Sequence, residues 1–201
     1  MPVQRVCRPD HTFRGFQGQI ESGVVSVGDD IITLPSGESA KVKSILVGDK
    51  DSQSAQEGQP VTIQLDKEVD VSRGCVLSSG TTLPVSKSLT ATILWMDDAE
   101  LTVGKDYIVK IGTKQVLGVL KNIQYKIDVN TGNFLPANGL SKNEIAVCDI
   151  GLQEAVVIDE FAKHKTLGEL ILIDRISNMT SACGVVTDSS ACLLYTSDAA
   201  D

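Results

Sequence analysis

Two histidines, five cysteines and one acidic triplet have the widest chemical reach in this sequence, and their spacing limits what they can do. His11 and His164 each lack a second His or a Cys at metal-ligand spacing, so both read as surface or loop histidines. Cys7, Cys75, Cys148, Cys183 and Cys192 contain no C-x-x-C pair and are odd in number, which argues against a disulfide framework and against a thiolate metal site. Free thiols so scattered are expected to pack as small apolar side chains. Asp97, Asp98 and Glu100 have the chemistry of a general acid and base, but they lead into the turn at 101–104, where a solvated loop is expected. Gly104-Lys105 is followed by Asp106, and no glycine stands five residues before Gly104, so the G-x-x-x-x-G-K-[ST] phosphate loop is not present. A phosphate cradle needs backbone amides of a Gly-rich loop at a helix N-terminus, and the sequence offers neither. The expectation is therefore that this chain holds no catalytic, cofactor-binding or metal-ligating residue.

The elements that would have to position such groups are strands. Apolar residues recur at period two or in short β-branched runs, and no window of 12 or more residues carries a 3.6 period. Val24-Val25 leads through Gly28-Asp29 into Ile31-Ile32-Thr33-Leu34, and Pro35-Ser36-Gly37-Glu38 then reverses the chain into 40–47, a hairpin with its turn residues in place. Further strands are expected at 19–22, 60–65, 89–95, 106–111, 116–127, 144–150 and 170–173. Phe13 and Phe16 lie an odd number of residues apart, so a regular strand would put them on opposite faces. Either Gly15 permits a bulge, or one ring lies on an outer face.

A small-residue and proline stretch, Ser78-Ser79-Gly80-Thr81-Thr82-Leu83-Pro84-Val85-Ser86-Lys87, separates two β-rich halves of similar size. The expected domains are 1–80 and 88–186, with a linker at 81–87 and a tail at 187–201. Val27-Gly28, Asp30 and Ile32 recur as Val103-Gly104, Asp106 and Ile108, and Lys43 and Ile45 recur as Lys121 and Ile123, the offset widening slightly past the hairpin tip. Chance similarity of two hairpins and true duplication both give such an echo, and both leave two small β domains.

Charge narrows the partners. The 201 residues carry 18 Lys and Arg against 26 Asp and Glu, a net charge of −8. Residues 1–87 hold 9 cations against 11 carboxylates, and residues 88–201 hold 9 against 15. That balance disfavours autonomous nucleic-acid binding. No run approaches the ~18 apolar residues of a membrane-spanning helix, and charge interrupts the first ten residues before any signal-like apolar core forms. No nucleic-acid and no membrane partner is expected, and the cytoplasm is the expected location.

Gly18-x-Ile20-x-Ser22-Gly23 followed by Val27-Gly28-Asp29 resembles the start of the second domain of translation-factor GTPases. Phe13-Arg14-Gly15-Phe16, Leu34-Pro35-Ser36-Gly37 and Val71-Ser72-Arg73-Gly74 narrow the resemblance to the GTPase subunits (subunit 1) of bacterial sulfate adenylyltransferases. Leu94-Trp95-Met96, Gly104-Lys105-x-Tyr107, Lys110-x-Gly112-Thr113-Lys114 and Tyr125-Lys126-Ile127-Asp128-Val129-Asn130-Thr131 are similar to successive markers of that subunit's third domain. So are Asn143-Glu144-Ile145 with Cys148, and Leu172-Ile173-Asp174-Arg175-x-Ser177-Asn178-x-Thr180. The resemblance runs from about 3 to 186.

It implies an all-β chain of two tandem antiparallel six-stranded β-barrels of the translation-factor GTPase type. It also implies a part of a regulatory subunit that couples GTP hydrolysis to the formation of adenosine 5′-phosphosulfate from ATP and sulfate. GTP and Mg²⁺ would belong to a GTPase domain expected ahead of Met1, so no cofactor is expected in these residues. The implied partners are the catalytic subunit (subunit 2) and that GTPase domain. The alternative within the same superfamily is a pair of barrels of the elongation factor Tu type, which hold aminoacyl-tRNA. Two departures stand out: the family usually has Asp at the position of Cys75, and Ser181-Ala182-Cys183-Gly184 replaces a commoner Gly-rich run. Residues 192–201 resemble one reading frame of a sequencing adapter and are expected to form no part of the fold.

Overall fold

Left-handed glycines start two hairpins of the same build, at Gly28 (φ 93°) and Gly104 (φ 87°). Only glycine adopts this backbone without steric cost, which is why the turns carry it. The computed structural model describes residues 1–9, 13–80 and 82–189. His11 and the adapter-like 192–201 segment lie outside the described residues, as do all but three residues of the expected tail. The chain divides into two compact units, Met1–Leu83 and the residues from Pro84 onward.

The first unit holds β1 (Arg5–Cys7), β2 (Gly15–Gln19), β3 (Val24–Ser26), β4 (Asp30–Leu34) and β5 (Glu38–Val47). It continues through β6 (Lys50–Ser52), β7 (Ser54–Gln56), β8 (Pro60–Leu65) and β9 (Val76–Ser78). Seven strands form one antiparallel sheet in the order β1-β2-β8-β5-β4-β9, with β6 beside β5. The pair β3 and β7 stands apart. Here the expectation of two six-stranded barrels is corrected, because this sheet is open: β1 and β9 at its ends share no ladder. The chain ahead of β1 meets β9 through one isolated bridge, Pro2 with Val76, flanked by bonds from Val3 N to Cys75 O (2.8 Å) and from Leu77 N to Met1 O (2.9 Å). Phe16, Ile31, Val42, Ile45 and Ile63 fill the core between the faces.

The second unit contains β10 (Val85–Trp95), β11 (Leu101–Thr102), β12 (Asp106–Ile111), β13 (Lys114–Ile127) and β14 (Phe134–Leu135). After β15 (Gly139–Leu140) and β16 (Ile145–Val157) come one four-residue helix, α1 (Lys165–Gly168), then β17 (Glu169–Asp174) and β18 (Thr180–Asp188). Six of these strands close on themselves in the order β12-β17-β18-β10-β16-β13, the ring being completed by pairing of β13 with β12. This is an antiparallel barrel, and closure removes the sheet edges that invite aggregation. Period two is plain in β10, where Leu89, Ala91, Ile93 and Trp95 point inward and are at most 1% exposed.

The sequence echo corresponds to a shared backbone arrangement. Gly28 N donates to Val42 O (2.8 Å) and Gly104 N to Leu120 O (2.9 Å), each acceptor standing just before one of the echoed lysines, Lys43 and Lys121. Asp29 N to Ser26 O and Lys105 N to Thr102 O repeat the turn bond one position on. Both echo isoleucines, Ile45 and Ile123, are core residues.

The aromatic prefix follows the second expectation in placement, with its rings on opposite faces of β2, but not through exposure. Phe16 is 1% exposed, while Phe13 lies ahead of β2 and is half-buried. Its ring occupies the space over Gly15, with Cε1 2.7 Å from where a Cβ would stand. β2 pairs with both neighbours in unbroken register, so there is no bulge, and neither ring is exposed. At Cys75, Sγ accepts the Ser72 N–H at 3.5 Å, a weaker turn bond than a carboxylate would make.

Candidate functional site

One end of the second unit's barrel gathers a set of hydrogen-bonded polar side chains around Asp174 and Asp97. β17 ends at Asp174, where the chain must turn, and the turn before β12 delivers Lys105 to the same place. Asp174 Oδ1 accepts the N–H of Ile176 (2.9 Å), the N–H of Ser177 (2.9 Å) and the Ser177 hydroxyl (3.1 Å). Its Oδ2 meets Lys105 Nζ at 2.7 Å. Asn178 N to Asp174 O and Asp174 N to Met179 O, both 2.9 Å, close the loop, and Asn178 sits at φ 57°. Asp97 Oδ2 accepts the Ser181 hydroxyl at 2.7 Å, and its Oδ1 accepts Ala99 N at 3.1 Å.

Below this layer Tyr107 is 1% exposed, with its ring edge-on to Trp95 at 6.0 Å. Trp95 Nε1 donates to Ala99 O at 2.8 Å, whereas the Tyr107 hydroxyl is buried without a hydrogen-bond partner. Lys105 Nζ also lies 5.3 Å from the centre of the Tyr107 ring.

These contacts set the charge states. The Lys105 ammonium, then the Ser177 and Ile176 N–H groups, hold the Asp174 carboxyl far below the usual carboxylate range, and Asp174 in turn raises Lys105. Burial pushes the Tyr107 phenol up. A carboxylate whose lone pairs are already occupied is poorly placed to accept a proton from substrate, so Asp174 acts as a staple for its loop. Because its folded pKa is depressed, its contribution to stability is full above the unfolded value of ~3.9 and is lost as pH falls below it. Asp174→Asn is expected to lower the melting temperature by several degrees at pH 7. Thermal melts should show that gap shrinking steadily between about pH 5 and pH 2; a gap constant with pH would contradict the staple.

The other reactive side chains are placed apart. Asp98 bridges Lys142 at 2.7 Å, away from the Asp97 contacts, so the acidic pair is not assembled as an acid and base. His164 Nδ1 meets Asp159 Oδ2 at 2.7 Å in the loop before α1. Burial pushes the Cys148 thiol up to about 12, which removes it as a nucleophile. Cys7, Cys75 and Cys183 are half-buried and free, and Cys192 lies outside the described residues. The role of Asp174 was within reach of the sequence: an Asp followed three residues later by Ser at a strand end is turn chemistry.

The described residues hold one helix, of four residues, and its N-cap His164 makes no side-chain cap bond. Among them no group of three His, Cys, Asp or Glu side chains could hold a metal ion, and no helix is long and apolar enough to cross a membrane. An open groove of about 630 Å³ runs along the barrel's outer wall, with Leu94, Ile145, Ile171 and Val185 among its lining. On the first unit a hollow of about 180 Å³ is lined by Arg8, Arg14, Lys43 and Lys67 among others, but Glu68 already bridges both arginines.

Known proteins match on this fold. Residues 88–187 match the GTP-eEF1A C-terminal domain-like family. A solved structure of sup35 complexed with GDP superposes with a TM-score of 0.86 at 21% identity, covering 94% of this chain and 46% of that one, a likeness of fold. Sulfate adenylyltransferase subunit 1 of Teredinibacter turnerae is 41% identical over 191 residues, which is 94% of this chain and 41% of the relative. The protein of the same name from Francisella tularensis subsp. novicida is 42% identical over 186 residues, 92% of this chain and 40% of the relative. The chain thus spans about two fifths of the length of these curated relatives. Sustained identity of this order through both β units shows that the chain belongs to the sulfate adenylyltransferase subunit 1 family, as a part of such a subunit.

Proposed function

We propose that these residues are the coupling part of a GTP-hydrolysing regulatory subunit of sulfate adenylyltransferase. The observation that carries the reading is the 41% identity to a sulfate adenylyltransferase subunit 1 across 94% of the chain. In this reading a separate catalytic subunit joins sulfate to ATP, giving adenosine 5′-phosphosulfate and pyrophosphate. The phosphosulfate anhydride is a high-energy product, so the step runs uphill, and GTP hydrolysis by the complete regulatory subunit drives it. GTP and Mg²⁺ are held by the part of the subunit outside this chain.

What the present residues contribute is mechanical. A closed barrel with a packed core moves as one body, and rigid units of this kind carry a nucleotide-dependent change to a partner without deforming. Supporting this, the polar cluster around Asp174 uses its carboxylate to fasten a loop. Calorimetric titration of the purified chain with GTP and Mg²⁺ tests the assignment. No saturable heat is expected, and micromolar binding would overturn it.

A further inference from the structure

The loop at 174–179 is built rigidly, yet it displays apolar side chains to water. Ile176 is 90% exposed and Met179 is 66% exposed. An unsupported loop would fold such side chains back or wave them freely. Here four hydrogen bonds and an ion pair converge on Asp174, and the Met179 carbonyl is tied to the Asp174 N–H. The same Lys105 bridge fixes the neighbouring turn, in which Val103 is 40% exposed. Exposed apolar groups on a fixed backbone are what a protein contact needs, since little conformational entropy remains to be lost on docking.

The charges around the tip say what kind of surface it fits. Each cation there is already engaged: Lys105 with Asp174, Arg175 with Asp106, and Lys142 with Asp98. Asp97 is bonded to a hydroxyl and an amide but to no cation. The collar is therefore net negative, with no spare positive group for lipid or nucleic-acid phosphates. The geometry points to the Ile176–Met179 tip as a knob that docks in an apolar socket with a basic rim on a folded protein. The occupant is the catalytic subunit that makes the phosphosulfate anhydride. This inference rests on the function proposed above.

The test uses the full 201-residue chain and the purified catalytic subunit of the same organism, with affinity read by biolayer interferometry. Ile176→Glu and Met179→Glu are at exposed positions and leave the core untouched. Each is expected to weaken binding at least tenfold, while Val24→Glu, exposed on the first unit, changes it less than twofold. Circular dichroism melts confirm that all three variants are folded. If the wild-type chain binds and both tip variants bind equally well, the knob is wrong and the proposed function stands. If the wild-type chain does not bind, the partner assignment fails and the knob with it. Cosedimentation with phosphatidylglycerol vesicles that is lost in Ile176→Glu would instead assign the tip to membrane and overturn the inference.

Discussion

Trp95→Ala is expected to cost the second unit about 3–5 kcal/mol, the range for removing a large aromatic from a packed core. Trp95 is 1% exposed, stacks edge-on against Tyr107 and donates to Ala99 O, so truncation leaves a cavity and removes that hydrogen bond. Domain stabilities of only ~5–15 kcal/mol make this a large fraction of the total. Chemical denaturation followed by far-ultraviolet circular dichroism reads it, because the variant has lost the one tryptophan of the sequence. Trp95→Phe, which keeps an aromatic ring in the site, should fall between wild type and alanine. An unchanged midpoint for Trp95→Ala would mean that this residue does not anchor the barrel.

Gly168→Ala should be nearly as damaging, although it adds one methyl group. A Cβ at this position would stand 2.3 Å from Phe161 N, 2.4 Å from Phe161 Cα and 2.8 Å from Asp159 O. All three are backbone atoms, so no side chain can swing away and the 159–161 segment itself must move. That segment is tied down: Asp159 N donates to Leu167 O, and Phe161 N donates to Val186 O on β18. Overpacking against fixed backbone is expected to cost about 3 kcal/mol, at the upper end of the usual range. Lys165→Ala, on the exposed side of the same short helix, should stay within about 0.5 kcal/mol. Equal stability of the two variants would contradict the close packing of helix and loop.

Strands with strict alternation were legible in the sequence. Pro60–Leu65 and Asp106–Ile111 match the expected spans, and the Leu34-Pro35-Ser36-Gly37 turn joins β4 to β5 as its residues require. β18 was missed because its core-facing Ala182 is too small to mark a period, and its neighbour Ser181, also fully buried, is polar and bonds Asp97 at an irregularity of the strand. Those small residues have a packing reason, since next to them Gly184 lies where a Cβ would meet Thr92 O at 2.7 Å. Closure was not legible at all. Whether a sheet of short strands becomes a barrel depends on its last pairing, which β12 and β13 make and which in the first unit comes down to the one Pro2–Val76 bridge. The Asp174 staple was half legible: its residues lay within a marked motif, but the contact with Lys105 joins positions remote in sequence that only the folded barrel brings together.

Replacement is the most direct test of coupling. The matching segment of the Teredinibacter turnerae subunit is exchanged for this chain, and the chimera is assembled with that bacterium's catalytic subunit. Formation of adenosine 5′-phosphosulfate from ATP and sulfate is then followed with and without GTP. The expected result is product formation that GTP stimulates, with GTP hydrolysed as product accumulates. A folded chimera that hydrolyses GTP and binds the catalytic subunit, yet leaves phosphosulfate formation unchanged by GTP, would contradict the coupling role.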